Sequence, residues 1–129
     1  MADFNLLSTS PHSLKANATV SINRFCKLDL TGAKLTIQCA AGTDISVGVA
    51  TKSAVAGESV ELQTIGIAKL AAGAAIAIGA QVTANASGQA VTVAAGNISH
   101  GMALQAAGAA GDVIEVLLTP LPNLNGPVN

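Results

Sequence analysis

Two stretches of this chain repeat one another. AAGTDISVGVATKSAVAGESVEL, beginning at Ala40, aligns with AAGNISHGMALQAAGAAGDVIEV, beginning at Ala94. Gly42 matches Gly96 and Gly57 matches Gly111 at a spacing of 54, while Gly48 and Gly101 are 53 apart, so one residue is lost in between. Glu58 matches Asp112, Val60 matches Ile114 and Leu62 matches Val116; upstream, TGAKLTIQ is echoed by SGQAVTV. Each copy reads as hairpin, glycine turn, strand, acidic turn, strand. A unit this short, in a chain with 13 Gly and only two aromatic residues, Phe4 and Phe25, buries too little apolar surface to stand alone. Two such units facing one another predict an all-β fold: a compact, β-tulip-like barrel or sandwich built from pseudo-repeats at about 22–66 and 76–118. Gly32, Gly57, Glu58, Gly88, Gly111 and Asp112 are then turn residues, with the glycines supplying positive φ and the acids capping.

Strand periodicity supports this. RFCKLDL (24–30) and KLTIQC (34–39) flank a turn at Thr31–Gly32. With that two-residue loop, Asp29 faces Lys34, Leu28 faces Leu35 and Cys26 faces Ile37. Cys26, Leu28 and Leu30 then share an inner face with Leu35, Ile37 and Cys39, and Asp29 and Lys34 form a charge-complementary pair. The same register turns Phe25 outward and sets the two cysteines diagonally on one face. Further strands are expected at 45–50, 59–68, 80–84, 89–94, 101–105 and 113–118. In the last, Ile114, Val116 and Leu118 alternate with Val113, Glu115 and Leu117, so both faces are largely apolar. The alanine run at 71–77 has helix propensity, but the flanking Gly73 and Gly79 allow a turn of helix at most.

The ends differ from this body. Residues 1–20 mix Ser, Asn and Thr with a few apolar side chains and are interrupted by Pro11, which reads as an arm anchored by Phe4, Leu6, Leu7 and Leu14. The β domain spans 21–119. Residues 120–129 contain three of the four prolines and read as an extended tail. No basic region precedes an apolar core at the N-terminus, and the most apolar stretch, Leu70–Ala80, is too short to cross a bilayer.

Composition excludes several function classes. Charged residues are 10% of the chain and the net charge is −1, so there is no basic field for nucleic acid and no charged surface suited to a membrane. Two aromatics make no stacking platform. His12 and His100 stand apart from any nucleophile–base–acid set, and the hydroxyls lack an activating partner. No phosphate loop, dinucleotide fingerprint or metal-ligand spacing occurs, and two cysteines do not make a disulfide scaffold. No cofactor or metal is expected, and no enzymatic activity. So sparse a charge on a chain of 50% hydrophobic residues suggests a surface covered by partners.

The order and spacing of RFCKLDLTG, GVA at Gly48–Ala50, AGESVEL at Ala56–Leu62, AAIAIGAQVTANASGQAV at Ala74–Val91, GMAL at Gly101–Leu104 and AGDVIEVLLTP at Ala110–Pro120 resemble the small capsid decoration (cement) proteins of tailed bacteriophages. The resemblance implies a non-enzymatic protein made in the host bacterial cytoplasm and bound to the outer surface of the mature icosahedral head. It implies the major capsid protein as partner, stabilisation of capsomer junctions, self-association as a homotrimer, and an N-terminal arm on the shell. Phe4, Leu6, Leu7 and Leu14 are then expected to touch the shell, and Phe25, Val113 and Leu117 to make contacts outside the chain's own core. The tail beyond Pro120 exceeds the family pattern, which also has no need of the two cysteines. Three other classes stand beside this one: a component of a phage tail, spike or head fibre with a glycan-binding role, disfavoured by the scarcity of aromatics; an enzyme assembled at subunit boundaries, for which one chain lacks the residues; and a host-encoded β-rich scaffold protein, which composition does not separate from the others.

Overall fold

The computed structural model describes residues 6–7 and 14–118, and among these there is no helix. The strands are β1 (Leu6–Leu7), β2 (Leu14–Ala16), β3 (Phe25–Leu28), β4 (Leu35–Gln38), β5 (Ser46–Ala50), β6 (Ser59–Val60), β7 (Leu62–Gln63), β8 (Ile67–Ala71), β9 (Gln81–Ala84), β10 (Ala90–Thr92), β11 (Gly101–Ala103) and β12 (Val113–Leu118). The first sheet runs β1-β7-β5-β3-β4-β2-β6. Because β6 and β7 are consecutive pieces of one chain segment interrupted at Glu61, the sheet between them curls into a nearly closed barrel, with β1 added outside β7. The second runs β10-β9-β11-β12-β8, and a parallel bridge from Ala72 to Ala90 joins its ends.

The two rings, unit 1 and unit 2, share the same wiring. Ala50 pairs with Leu62 across β5 and β7, as Ala103 pairs with Val116 across β11 and β12. Leu14 pairs with Val60 as Leu70 pairs with Ile114. The bridge between Val20 and Ala54 recurs between Ile76 and Ala107. Loop bonds repeat as well: Asn23 N–H donates to Ala50 O and Gly79 N–H to Ala103 O, both at 2.8 Å, and Cys39 N–H donates to Phe25 O at 2.9 Å as Val93 N–H does to Gln81 O at 3.0 Å. The duplication therefore extends upstream of Ala40 and Ala94, back to Leu14 and Leu70. Glycines recur where strands cross most closely. A Cβ on Gly48 would lie 2.9 Å from Gln63 O, and one on Gly101 would collide with Leu117 O.

Eight buried residues fill unit 1: Leu14, Ala16, Val20, Cys26, Ala50, Ala54, Val60 and Leu62. Their equivalents Leu70, Ala72, Ile76, Val82, Ala103, Ala107, Ile114 and Val116 fill unit 2. Three of the eight are alanine in both, so each ring is narrow and filled by small side chains. The remaining members of the unit 2 cluster, Phe25, Cys39, Val49, Ala68, Ala84, Ala90 and Leu118, form the layer that joins the units. Each repeat thus wraps its own core, and the shared layer supplies the additional burial that a unit of this size needs. The alanine run carries no helix: Ala72 and Ile76 are instead bridged to Ala90 and Ala107.

The first hairpin departs from its expected register by one residue. Cys26 pairs with Gln38, Lys27 with Ile37 and Leu28 with Thr36. The turn is wider than Thr31–Gly32. The Asp29 carboxylate accepts the Thr31 backbone N–H at 3.1 Å and its hydroxyl at 2.8 Å, Asp29 N–H donates to Leu35 O, and the left-handed residue is Lys34 (φ 58°) rather than Gly32. Asp29 therefore stands opposite Leu35 and not Lys34, and the Asn17 amide, first, and Thr31 hold its carboxyl below the usual range. Phe25 still alternates with Cys26 and so points away from the core of its own ring, where unit 2 covers it. Phe25, expected outward, is 1% exposed and packs in the layer between the units, whereas Leu28 and Leu30 point to solvent. The cysteines are separated too: Cys26 lies in the unit 1 core and Cys39 in the shared layer. Burial pushes the Cys26 thiol up to about 12 and the Cys39 thiol further in the same direction, so both stay protonated and unreactive.

Candidate functional site

The shared layer combines apolar packing with hydrogen bonds between the units. Phe25 N–H donates to Gly88 O at 2.9 Å, and the Phe25 ring meets the His100 ring at 5.0 Å between centroids with a tilt of 57°. Gly88 has φ +74°, and a Cβ there would press on Phe25 O at 3.1 Å. Gly42 O accepts the Ile98 N–H at 2.8 Å and the Thr83 hydroxyl at 3.2 Å, while Gln38 Nε2 donates to Ser87 O at 3.3 Å. His100 is buried with neither ring nitrogen in a hydrogen bond among the described residues. Burial drives its pKa down to about 4 against the upward pull of the Asp44 backbone and carboxylate. It is a neutral packing residue, without the partner a general base requires.

The acidic turns are built alike. Gly57 (φ +94°) and Gly111 (φ +98°) donate their N–H groups to Ala16 O and Ala72 O, both at 2.8 Å. Glu58 Oε1 accepts the Val55 N–H at 2.9 Å, and Asp112 Oδ2 accepts those of Gly108 and Ala109 at 2.8 and 3.2 Å. Both carboxylates cap their own turns. Among the described residues no group of three or more His, Cys, Asp or Glu side chains comes together as a metal site.

What the surface offers is apolar area. On unit 1, Leu28, Leu30, Ile37, Ile45 and Val47 line a groove of about 530 Å³, with Leu30 89% exposed at its rim. Its polar side is the Lys27–Asp44 ion pair at 3.0 Å. Burial alone would raise the Asp44 pKa, but the Ala40 N–H, Lys27 and the Ala41 N–H hold it below the usual carboxylate range. On unit 2, Met102 pairs with Leu117 and Leu117 with Ile67, an exposed apolar row across β11, β12 and β8. Val113 lies exposed further along β12, beside a cleft of about 580 Å³ between the units that includes Ile22, Gln63 and Glu115.

The expected site residues distribute unevenly over these surfaces. Val113 and Leu117 are on the outer face of β12. Phe25 is not at the surface. Leu14 is also corrected: its side chain is 7% exposed inside the unit 1 core, and its strand is hydrogen-bonded to β4 and β6, so it belongs to the body and not to an arm. The Leu6–Leu7 backbone pairs with Gln63 and Leu62 of β7. β1 and β2 together thereby occupy the row that β8 fills alone in unit 2. Phe4, residues 8–13 and the tail from 119 lie outside the described residues. Leu28, Leu30, Ile45, Ile67 and Met102 were not singled out by the sequence, the first two because the expected register placed them inside.

Two rings with capped turns, buried protonated thiols and exposed apolar rows present, among the described residues, surfaces suited to contact. The model of the family described as phage cement protein matches residues 7–118, so the chain belongs to the phage cement protein family and is a structural protein of the phage head, with the capsid as its partner. Among solved structures it is similar to the N base of head fiber gp8.5 in bacteriophage phi29, with a TM-score of 0.73 and 20% identity over 92% of this chain and 98% of that one. At that identity the likeness concerns the fold. No curated protein matches the chain.

Proposed function

We propose that this protein binds the outer surface of the mature icosahedral head, contacts the major capsid protein and stabilises the junctions between capsomers, acting as a homotrimer and without catalysis. The observation that carries this reading is the family match over residues 7–118. The sparse charge and the exposed apolar groove and row fit a protein that works by being covered. Synthesis in the host bacterial cytoplasm and display on the virion surface follow from the same role. Phe4 and its neighbours before β1 are the segment proposed to reach the shell, since Leu14 is occupied in the core. A clamp repeated on a symmetric shell gains from multivalency: copies linked to one another bind neighbouring sites at high effective concentration.

Purified protein added to heads stripped of it is expected to restore outer density at capsomer junctions and to raise the temperature at which heads rupture. Removal of residues 2–5, which leaves β1 in place, is expected to lower occupancy at equal protein concentration. Bare heads after incubation with the full chain would refute the role. The likeness to a head-fibre base motivates one competing role, that of a platform on which a fibre stands; a filament rooted on the restored density would establish it.

A further inference from the structure

We propose that copies of this chain dock on one another head to tail, using two free faces equivalent to the pair already joined inside each chain. Within the chain, unit 1 presents Phe25, Cys39 and Val49 together with Gly42, and unit 2 receives this face: Gly88 and His100 meet Phe25, Ala84 shares the cluster, and Thr83 and Ile98 donate to Gly42 O. The contact is heterologous, because different surfaces of the two similar rings meet. Each ring therefore owns both surfaces, and the chain uses only one from each.

The repeated hydrogen bonds identify the unused pair. Phe25, Cys39 and Val49 correspond to Gln81, Val93 and Met102 on unit 2; Gln81 and Met102 are exposed there and Val93 half-buried. Thr83, Ala84, Ile98 and His100, all buried or half-buried, correspond to Lys27, Leu28, Ile45 and Val47 on unit 1. These four residues line the apolar groove. The groove is thus the unfilled counterpart of the surface that receives Phe25, and the face carrying Met102, extended by Leu117 and Ile67, is the unmatched counterpart of the one that presents it. The occupant of the groove is accordingly unit 2 of a second copy. Heterologous contacts of this kind close into rings when the rotation allows. The proposal deepens the self-association in the function proposed above but does not depend on the capsid contact.

The test is made on the isolated full chain, without heads. Leu28→Asp removes the receiving face and Met102→Asp the presenting face; both side chains are exposed, and far-UV circular dichroism with cooperative melting checks that each variant folds. Sedimentation velocity is expected to show wild type as an oligomer, each variant alone as a monomer, and their equimolar mixture as a one-to-one dimer, since each supplies the face the other lacks. Independently, Val47→Cys with Gln81→Cys, the pair equivalent to His100 and Phe25, is expected to cross-link between chains on mild oxidation, while either cysteine variant alone does not. A monomeric wild type, a variant that keeps the wild-type oligomer, or a double-cysteine chain that stays uncross-linked would overturn the proposal. So would a groove filled by the chain's own tail, because wild type would then be monomeric. A monomer that still decorates heads defeats this inference and spares the capsid role; an oligomer that ignores heads does the opposite.

Discussion

Unit 1 and unit 2 have the same strand order, the same cross-strand partners and the same eight interior positions, yet their outer faces have diverged. Where unit 1 carries Phe25 and Val49, buried by its neighbour, unit 2 carries Gln81 and Met102 in solvent. Where unit 2 carries the buried Gly88 and His100, unit 1 carries the exposed Lys34 and the half-buried Val47. The interior of a duplicated ring is constrained by volume, since one added methylene in a narrow core is felt throughout it. The exterior is constrained only where something touches it, and the divergence maps onto what each face meets.

Three sets of substitutions sharpen that contrast. The largest effect is expected for Phe25→Ala, which empties the layer between the units and should cost about 3–5 kcal/mol in denaturant unfolding. Gln81→Ala, at the equivalent place on unit 2, should stay within about 0.5 kcal/mol. Equal losses at the two sites would mean that the units do not differ in this way.

Next is His100. Its folded pKa of about 4 lies below the ordinary value of 6.5, so the unfolded chain takes up the proton first as pH falls. Stability should be unaffected above pH 6.5, decline between 6.5 and 4, and level off below, with a total loss on the order of 3 kcal/mol. His100→Val, which copies Val47 of unit 1, should flatten that slope while leaving stability near pH 7 much less changed. An unaltered slope in thermal melts across this range would remove His100 as its source.

The smallest effect is expected at the paired turns. Gly57→Ala and Gly111→Ala meet no atom within 4 Å, so only the left-handed backbone is penalised, by about 1–2 kcal/mol each. Matching losses would show that both turns bear the same strain; a neutral result at one would show that its turn relaxes.

The all-β fold and the repeat were legible because glycine and acid recur at fixed spacing from Gly42 to Asp112, and these residues are set by backbone geometry alone. Upstream of the echo between TGAKLTIQ and SGQAVTV the repeat is harder to align residue by residue, since Phe25 answers to Gln81, Lys27 to Thr83 and Cys26 to Val82, pairs that share a place in the ring but little chemistry. The hairpin register was misjudged for a related reason. Alternation in RFCKLDL looks the same in either register; the turn that sets it is closed by Asp29 and a left-handed Lys34 rather than by Gly32, and the burial of Phe25 comes from a second ring whose Gly88 and His100 lie more than sixty residues away. The exposed groove followed from the same misjudgment, as Leu28 and Leu30 were assigned to the inside. Phe25 was the available signal: one of two aromatics in a chain of small residues is costly to leave in water, and burial should have outweighed alternation.

The curl of both rings has one more consequence. Through the β6–β7 segment in one ring and Ala72 in the other, each sheet curls back on itself, so among the described residues the outward-facing margins are short, the two-residue β1 being one of them. Long open margins recruit extended chain from any neighbour and seed fibrous aggregates. A protein of a crowded shell is most exposed to that hazard, and rings curled in this way leave a neighbour mainly side chains to meet.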